Sequence, residues 1–164
     1  MKRNVDVELQ RAKDLIGSRK FKDALKCLDD LAASNASEHK VWAVRAHANA
    51  QQGDFQAAHS DWSRAISLHG DEPHYLYMRG IELFKVARYR EAVEDFTRVI
   101  DLCSRYRSSY YLEPAYFFRA DAFARLKEFE RARSDCEQIA SEVRIWTDQL
   151  RTKADILALC GGAS

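Results

Sequence analysis

The feature that most constrains the fold is a regular spacing between equivalent small and aromatic residues. The recurring set is Ala12, Phe21 and Ala24; Ala46, Phe55 and Ala58; Gly80, Tyr89 and Ala92; and Ala120, Phe129 and Ala132. The first two steps are 34 residues and the third is 40. A period near 34 with such anchors is typical of stacked helical hairpins. A stack of this kind presents an extended surface, so the spacing favours a binding protein over an enzyme.

Each copy has the same internal pattern. In the second copy, Trp42, Ala46 and Ala50 recur at steps of four residues and predict one face of a helix. Gly53 then predicts a turn before the second helix. The first copy is the weakest, because Glu8 stands where the other three carry an aromatic or aliphatic side chain.

These residues carry a resemblance to a known family. The run that resembles a tetratricopeptide repeat is Trp42, Ala46, Gly53-Asp54-Phe55, Ala58 and Ala65, with neighbouring copies over residues 5–140. The resemblance implies an all-α fold, a right-handed α-solenoid of about four helical hairpins with a short C-terminal capping helix. It also implies the family's usual role, in which the concave groove holds a peptide or a protein surface.

The repeats predict one domain over residues 1–164. Its expected parts are repeats at about 5–38, 39–72, 73–106 and 113–146, an insertion at about 103–112, and a C-terminal cap at about 147–160. Thr152 and Asp155 have the spacing of a helix start, with Thr as the cap and an acid three residues on. Trp146 is expected to pack near this cap. The alternative, a C-terminal segment that docks into a neighbouring molecule's groove, stays open.

A second regularity pairs arginine with aspartate. Three pairs are separated by 16 residues: Arg45 and Asp61, Arg79 and Asp95, and Arg119 and Asp135. The constant offset predicts a charge-assisted bond between the two helices of each hairpin. The first copy departs from the pattern, since Cys27 occupies the position expected for the partner of Arg11. The alternative is a row of arginines that binds phosphate or carboxylate.

The insertion before the fourth repeat is rich in residue types that favour interfaces. They are Arg105, Tyr106, Arg107, Tyr110 and Tyr111. The extra length predicts either a longer helix after Asp101 or a protruding loop. The tyrosines either pack against the fourth hairpin or contact a partner at the edge of the array.

In the family that this chain resembles, the first helix of each hairpin lines the groove. Helical geometry places these residues there: Leu9, Lys13, Lys40, His47, His74, Tyr77, Ile81, Phe84, Phe117, Asp121 and Arg125. The third and fourth repeats supply aromatic and aliphatic side chains, and the first two supply lysines and a histidine. A peptide with an apolar anchor and some acidic character fits this composition.

Composition excludes several other classes of function. Lys and Arg total 26 against 25 Asp and Glu, so a net charge of +1 gives no basis for nucleic-acid binding. No apolar run approaches the ~18 residues of a membrane span, and the charged N-terminus predicts no signal peptide. Four scattered cysteines are typical of reduced thiols, which favours a cytoplasmic protein. No metal-binding spacing, phosphate loop or nucleophile motif occurs, so no metal, cofactor or catalytic residue is expected.

The sequence therefore predicts a non-enzymatic protein–protein interaction scaffold or adaptor that binds a partner peptide or protein surface in the groove. The alternative is a small immunity- or inhibitor-type protein that masks one toxin or enzyme. That alternative makes use of the insertion and predicts one tightly bound partner. Self-association stays open.

Overall fold

The computed structural model describes residues 4–140, 143–146 and 150–161. Contacts divide the chain into two compact units, Met1–Tyr75 and Leu76–Ser164. The division falls inside one helix, and each unit is described by itself below.

Unit 1 consists of two helical hairpins that pack on each other. Its helices are α1 (Val5–Gly17), α2 (Phe21–Ser34), α3 (His39–Gln52) and α4 (Phe55–Leu68). Side-chain caps begin three of them, since Asn4 accepts a hydrogen bond from the Asp6 amide at 3.1 Å, Glu38 accepts one from the Lys40 amide at 3.4 Å, and Asp54 accepts one from the Ala57 amide at 3.0 Å. One buried apolar cluster of α1, α2 and α3 contains Leu9, Ala12, Leu28, Leu31, Ala32, Val41 and Ala48.

Unit 2 holds the remaining hairpins and a terminal element. Its parts are α5 (Pro73–Lys85), α6 (Tyr89–Tyr106), α7 (Leu112–Arg125), α8 (Phe129–Cys136), β1 (Arg144–Trp146), β2 (Leu150–Thr152) and α9 (Lys153–Gly161). The first three residues of α5 lie in unit 1. The fold class predicted from the sequence, an all-α arrangement of helical hairpins with a short C-terminal helix, is confirmed.

The turn inside each hairpin contains one residue with left-handed backbone geometry. These residues are Arg19, Gly53, Ala87 and Lys127, with φ values of 57°, 87°, 60° and 63°. They follow the same steps of 34, 34 and 40 residues as the anchors. Gly53 is the residue type that this geometry favours, so it marks the turn most clearly in the sequence.

The three predicted ion pairs are confirmed. Each arginine donates two hydrogen bonds to its aspartate, at 2.9 and 2.7 Å for Arg45–Asp61, 2.8 and 2.6 Å for Arg79–Asp95, and 2.8 and 2.7 Å for Arg119–Asp135. The aspartates are buried, so the bidentate geometry satisfies carboxylates that have lost their water. In the first hairpin the Cys27 thiol instead donates to the Glu8 carboxylate at 3.4 Å.

The C-terminal element differs in part from the sequence prediction. The Thr152–Asp155 cap is confirmed, with the Asp155 amide 3.3 Å from the Thr152 hydroxyl and the Thr152 amide 2.7 Å from the Asp155 carboxylate. The sequence predicts no strand before it, yet β1 and β2 pair antiparallel, with Arg144 opposite Thr152. The expected packing of the Trp146 side chain lies outside the described part of the structure. Helix α9 packs against α7 and α8.

Candidate partner-binding surface

Unit 2 carries a continuous surface of aromatic side chains on α5 and α7, the first helix of each of its two hairpins. We call it the aromatic surface and define it as Tyr77, Ile81, Phe84, Phe118 and Arg125. The Phe118 ring lies 6.1 Å from the Tyr77 ring and 5.5 Å from the Phe84 ring, both in edge-on geometry. The guanidinium of Arg125 lies 5.1 Å from the centre of the Phe84 ring. Ile81 is half-buried one turn from Tyr77 and Phe84 on α5.

Tyr77 is fixed by rings from several elements. Besides Phe118, it contacts the Tyr111 ring at 5.0 Å and the Phe96 ring at 6.0 Å. Burial, with a smaller contribution from Tyr111 and Tyr110, raises the pKa of Tyr77 to about 12. The phenol therefore stays protonated at neutral pH and is able to donate a hydrogen bond to a partner's carbonyl or carboxylate.

The charged end of this surface is a cluster around Asp121. One carboxylate oxygen of Asp121 accepts from Arg125 at 3.1 Å and from Arg151 of β2, also at 3.1 Å. Arg125 donates as well to the Tyr89 hydroxyl at 3.2 Å. Asp121 is 0% exposed, so it organises the two arginines and does not itself face solvent.

The structure places the eleven predicted groove residues in two groups. Lys13 and Lys40 are exposed, and the half-buried members are His47, His74, Tyr77, Ile81 and Arg125. The buried members are Leu9, Phe84, Phe117 and Asp121. A buried side chain supports the surface from below and does not offer its own area to a partner. The half-buried and exposed members are therefore the ones that carry a direct contact.

His74 belongs to a ring cluster at the end of unit 1. Its ring lies edge-on to the Trp62 ring at 6.1 Å, and Trp62 in turn lies 5.9 Å from the Tyr75 ring. Burial lowers the pKa of His74; Glu72 opposes this shift without reversing it, and His47 acts in the same direction as burial. The imidazole is therefore neutral at pH 7 and behaves as an aromatic packing residue.

The insertion forms both a longer helix and a short turn. Helix α6 has 18 residues and continues to Tyr106, and the turn that follows runs over residues 107–111. Tyr106 is 54% exposed and Tyr110 is 77% exposed. Arg105 and Arg107 are also exposed, whereas Tyr111 is half-buried against Tyr77. Four of the five predicted edge residues are thus available to a partner.

The sequence prediction misses Phe118, which belongs to the aromatic surface, and Arg151, which binds Asp121 at its charged end. Phe118 follows Phe117 directly, and its place under both Tyr77 and Phe84 gives it a buried, supporting role. The adjacent aromatic pair is the only hint of it in the sequence. Arg151 has no signal at all, because its position depends on the non-repetitive strand that brings it to Asp121.

The described residues show neither a cluster of metal ligands nor a helix that could span a membrane. Within that part of the chain, no three or more His, Cys, Asp or Glu side chains converge as a metal site would require. The helices there are also too short or too polar for any of them to cross a bilayer.

Known proteins share this fold at low sequence identity. Over 87 residues the chain is 23% identical to an N-terminal acetyltransferase A complex subunit-like protein of Schizosaccharomyces pombe, and the aligned part is 53% of this chain but 12% of that protein. MamA from Desulfovibrio magneticus RS-1, from residue 41 to its end, has a TM-score of 0.71 at 16% identity, covering 81% of this chain and 72% of MamA.

YrrB, described as a TPR protein with an unusual peptide-binding site, has a TM-score of 0.69 at 16% identity, covering 79% of this chain and 64% of YrrB. At such identities these similarities concern the fold alone. The family model described as Tetratricopeptide repeat matches residues 9–73 and 77–144. Because those two stretches span most of the sequence, the chain belongs to the tetratricopeptide repeat family.

Proposed function

We propose that this chain is a non-enzymatic scaffold that binds a segment of another protein on the first helices of its repeats. The observation that carries the proposal is the aromatic surface of unit 2. There Tyr77 and Ile81 are half-buried on α5, Tyr77 packs against the Phe118 ring, and Arg125 lies over the Phe84 ring. Partly exposed aromatic and arginine side chains on a preformed support are the usual anchors of protein interfaces. YrrB, which shares the fold, has a peptide-binding site, and this supports a peptide as the partner class.

The partner segment fits by two kinds of contact. An apolar side chain of the partner buries against Ile81 and the edge of Tyr77, where the Phe118 and Phe84 rings leave little room for rearrangement. A carbonyl or carboxylate of the partner accepts from the Tyr77 hydroxyl or the Arg125 guanidinium. Unit 1, taken by itself, exposes Lys13 and Lys40, and these two cations favour contact with an acidic segment.

The experiment is selection of a random peptide library displayed on phage against the whole chain, followed by affinity measurement with the enriched peptides. Ile81→Glu should weaken binding at least tenfold, because it places a carboxylate where the apolar anchor is buried. Val86→Glu is the matched control, since Val86 is an exposed apolar residue just after α5. Circular dichroism checks that both variants keep their helices. Equal affinity of the two variants would exclude the aromatic surface as the binding site.

The alternative function, an immunity- or inhibitor-type protein, is favoured by the exposure of Tyr106 and Tyr110. A single tight partner that contacts this edge would tolerate Ile81→Glu but lose affinity with Tyr110→Ala. Affinity purification from the native cell distinguishes the two functions, because a mask co-purifies with one protein in a fixed ratio. A scaffold retains its partners weakly and in variable amounts.

The cysteines support a reducing compartment such as the cytoplasm, which we include in the proposal. All four are free thiols. Burial, with a contribution from the neighbouring Cys160, raises the pKa of Cys136 to about 11, so this thiol is unreactive at neutral pH. Subcellular fractionation of cells that express an epitope-tagged chain measures the location directly.

A further inference from the structure

The first helix of the fourth repeat, α7, is covered by the chain's own C-terminus. Two residues expected to line the groove, Phe117 and Asp121, are both 0% exposed. Phe117 shares its buried cluster with Ile156 and Cys160 of α9, and Asp121 is bound by Arg151 of β2. Residues 150–161, which we call the terminal segment, therefore occupy a face of α7 that the repeat pattern assigns to a partner.

Few side chains of the terminal segment are fully buried. Among its twelve residues, all of them described, three are buried: Arg151, Ile156 and Cys160. Leu150, Leu157 and Leu159 are exposed. These three leucines leave 50%, 38% and 43% of their surface exposed, so they add only part of their apolar area to the attachment, which lowers the free energy needed to detach the segment.

The polar contacts of the segment are incompletely satisfied. Arg151 uses one nitrogen on Asp121, but its Nε and the second Asp121 oxygen are buried without a hydrogen-bond partner among the described residues. Lys153 also donates to the Ile139 carbonyl and Arg133 to the Cys160 carbonyl, both at 2.9 Å, and β2 at the start of the segment pairs with β1. A buried ion pair with unsatisfied atoms is a weak source of stability, and a ligand that satisfies them binds better.

We propose that the terminal segment is a displaceable internal ligand of α7, and that the partner segment replacing it carries an arginine and aliphatic side chains. The partner's arginine takes the place of Arg151 on Asp121, and its aliphatic residues take the place of Ile156 against Phe117. The tethered segment has a high effective concentration, so it screens out peptides that pair poorly with Asp121. This inference rests on the proposed function for the presence of a partner, and it adds a second, basic recognition element to the acidic preference of unit 1.

The test uses a fluorescent synthetic peptide of residues 150–161, with Cys160→Ser to prevent oxidation, and the full-length chain. The Arg151→Gln chain should bind this peptide at least tenfold more tightly than the wild-type chain, because its own segment competes less well. Arg144→Gln, at an exposed arginine on β1, is the matched control and should behave as wild type. The same peptide with Arg151→Gln should lose at least tenfold in affinity for the Arg151→Gln chain. No gain of binding by the Arg151→Gln chain, with helicity intact, would overturn the proposal.

A second measurement does not depend on any variant folding. In the wild-type chain, amide hydrogen exchange of residues 150–161 should be at least tenfold faster than that in the middle of α7, because the segment opens while the hairpins stay folded. Equal exchange in the two regions would mean that the segment is an integral part of the core, and it would overturn the inference. Failure of the proposed function is a separate result. It would appear if Ile81→Glu left the affinity of the library peptides unchanged, while the binding of the peptide of residues 150–161 still behaved as expected.

Discussion

Gly80 lies where α5 crosses α6, and the absence of a Cβ there allows Phe96 to approach the α5 backbone. A Cβ at this position would lie 2.9 Å from Cε1 and 3.0 Å from Cζ of Phe96. The Phe96 ring is itself buried and stacked on Phe118 at 5.5 Å, so it has no free direction in which to move. The small residue in the repeat pattern therefore has a steric cause at this copy.

The prediction at this position is that Gly80→Ala destabilises the chain by about 1–3 kcal/mol, the usual range for overpacking. Without the clash, an alanine inside a helix would stabilise it by about 1 kcal/mol relative to glycine. Gly17→Ala is the control, because Gly17 also lies in a helix and a Cβ there meets nothing within 4 Å. Urea denaturation measures both. If the two substitutions have the same sign, the close approach of Phe96 is not what requires the glycine.

At the scale of helices, the start of α3 and the end of α4 meet through two histidines. The His39 and His69 rings are stacked with centroids 4.4 Å apart and planes 15° apart. His39 also lies 2.8 Å from the Tyr75 hydroxyl through Nδ1. Burial lowers the pKa of His39, the positive charge of a protonated His69 lowers it further, and Lys40 acts in the same direction. Glu38 and Glu72 oppose the shift without reversing it.

This junction, the contact of His39 with His69 and Tyr75, predicts that the free energy of unfolding depends on pH. Because the folded pKa of His39 is below its ordinary value of 6.5, the unfolded chain binds the proton more tightly. The contribution of the junction is therefore complete above pH 6.5 and is lost as the pH falls from there through the folded pKa. His74, with the same direction of shift, adds to the effect.

The measurement is the urea midpoint at pH 7.5 and at pH 5.5. Wild type should lose more stability across this interval than the His39→Gln variant, in which this titration is removed. The ordinary pKa values of Asp and Glu lie near 4, so those carboxylates add little change over the interval. Parallel losses in both chains would show that protonation of His39 does not destabilise the junction.

At the scale of the whole molecule, the repeat pattern predicts what is local to a hairpin and misses what is not. The Arg119–Asp135 pair could be predicted because a fixed offset between two helices of one hairpin fixes a spatial relation. The covering of Phe117 could not, because it depends on strands and a helix that follow the last repeat without any period. The same limit applies to the candidate surface. Tyr77 and Ile81, expected to line the groove, are partly accessible, whereas Asp121, expected there too, is buried.

A chain that ends at Ala140 tests the role of the terminal residues as a cover. Truncation after Ala140 removes Ile156 and Cys160 from the cluster that contains Phe117, Cys136 and Ile139, and exposes that apolar face to solvent. Light scattering should show aggregation, and the dye ANS should bind more strongly than to the full chain. A chain that ends at Gly161 is the control and should behave as the full chain does. A monodisperse chain ending at Ala140 would show that the face needs no cover.

The bidentate ion pairs have a consequence for where the chain tolerates a change in length. Each arginine binds the aspartate that lies 16 residues later in the same hairpin. One residue added or lost between the two would therefore rotate the carboxylate away from the guanidinium. The connection between Asp95 and Arg119 joins two different hairpins and already holds the six extra residues of the 40-residue step, although Arg119 also donates to Thr97 at 3.0 Å across it. The exposed turn at Ser109 is therefore the natural place to insert an epitope tag or a fluorescent reporter without altering the register of any hairpin.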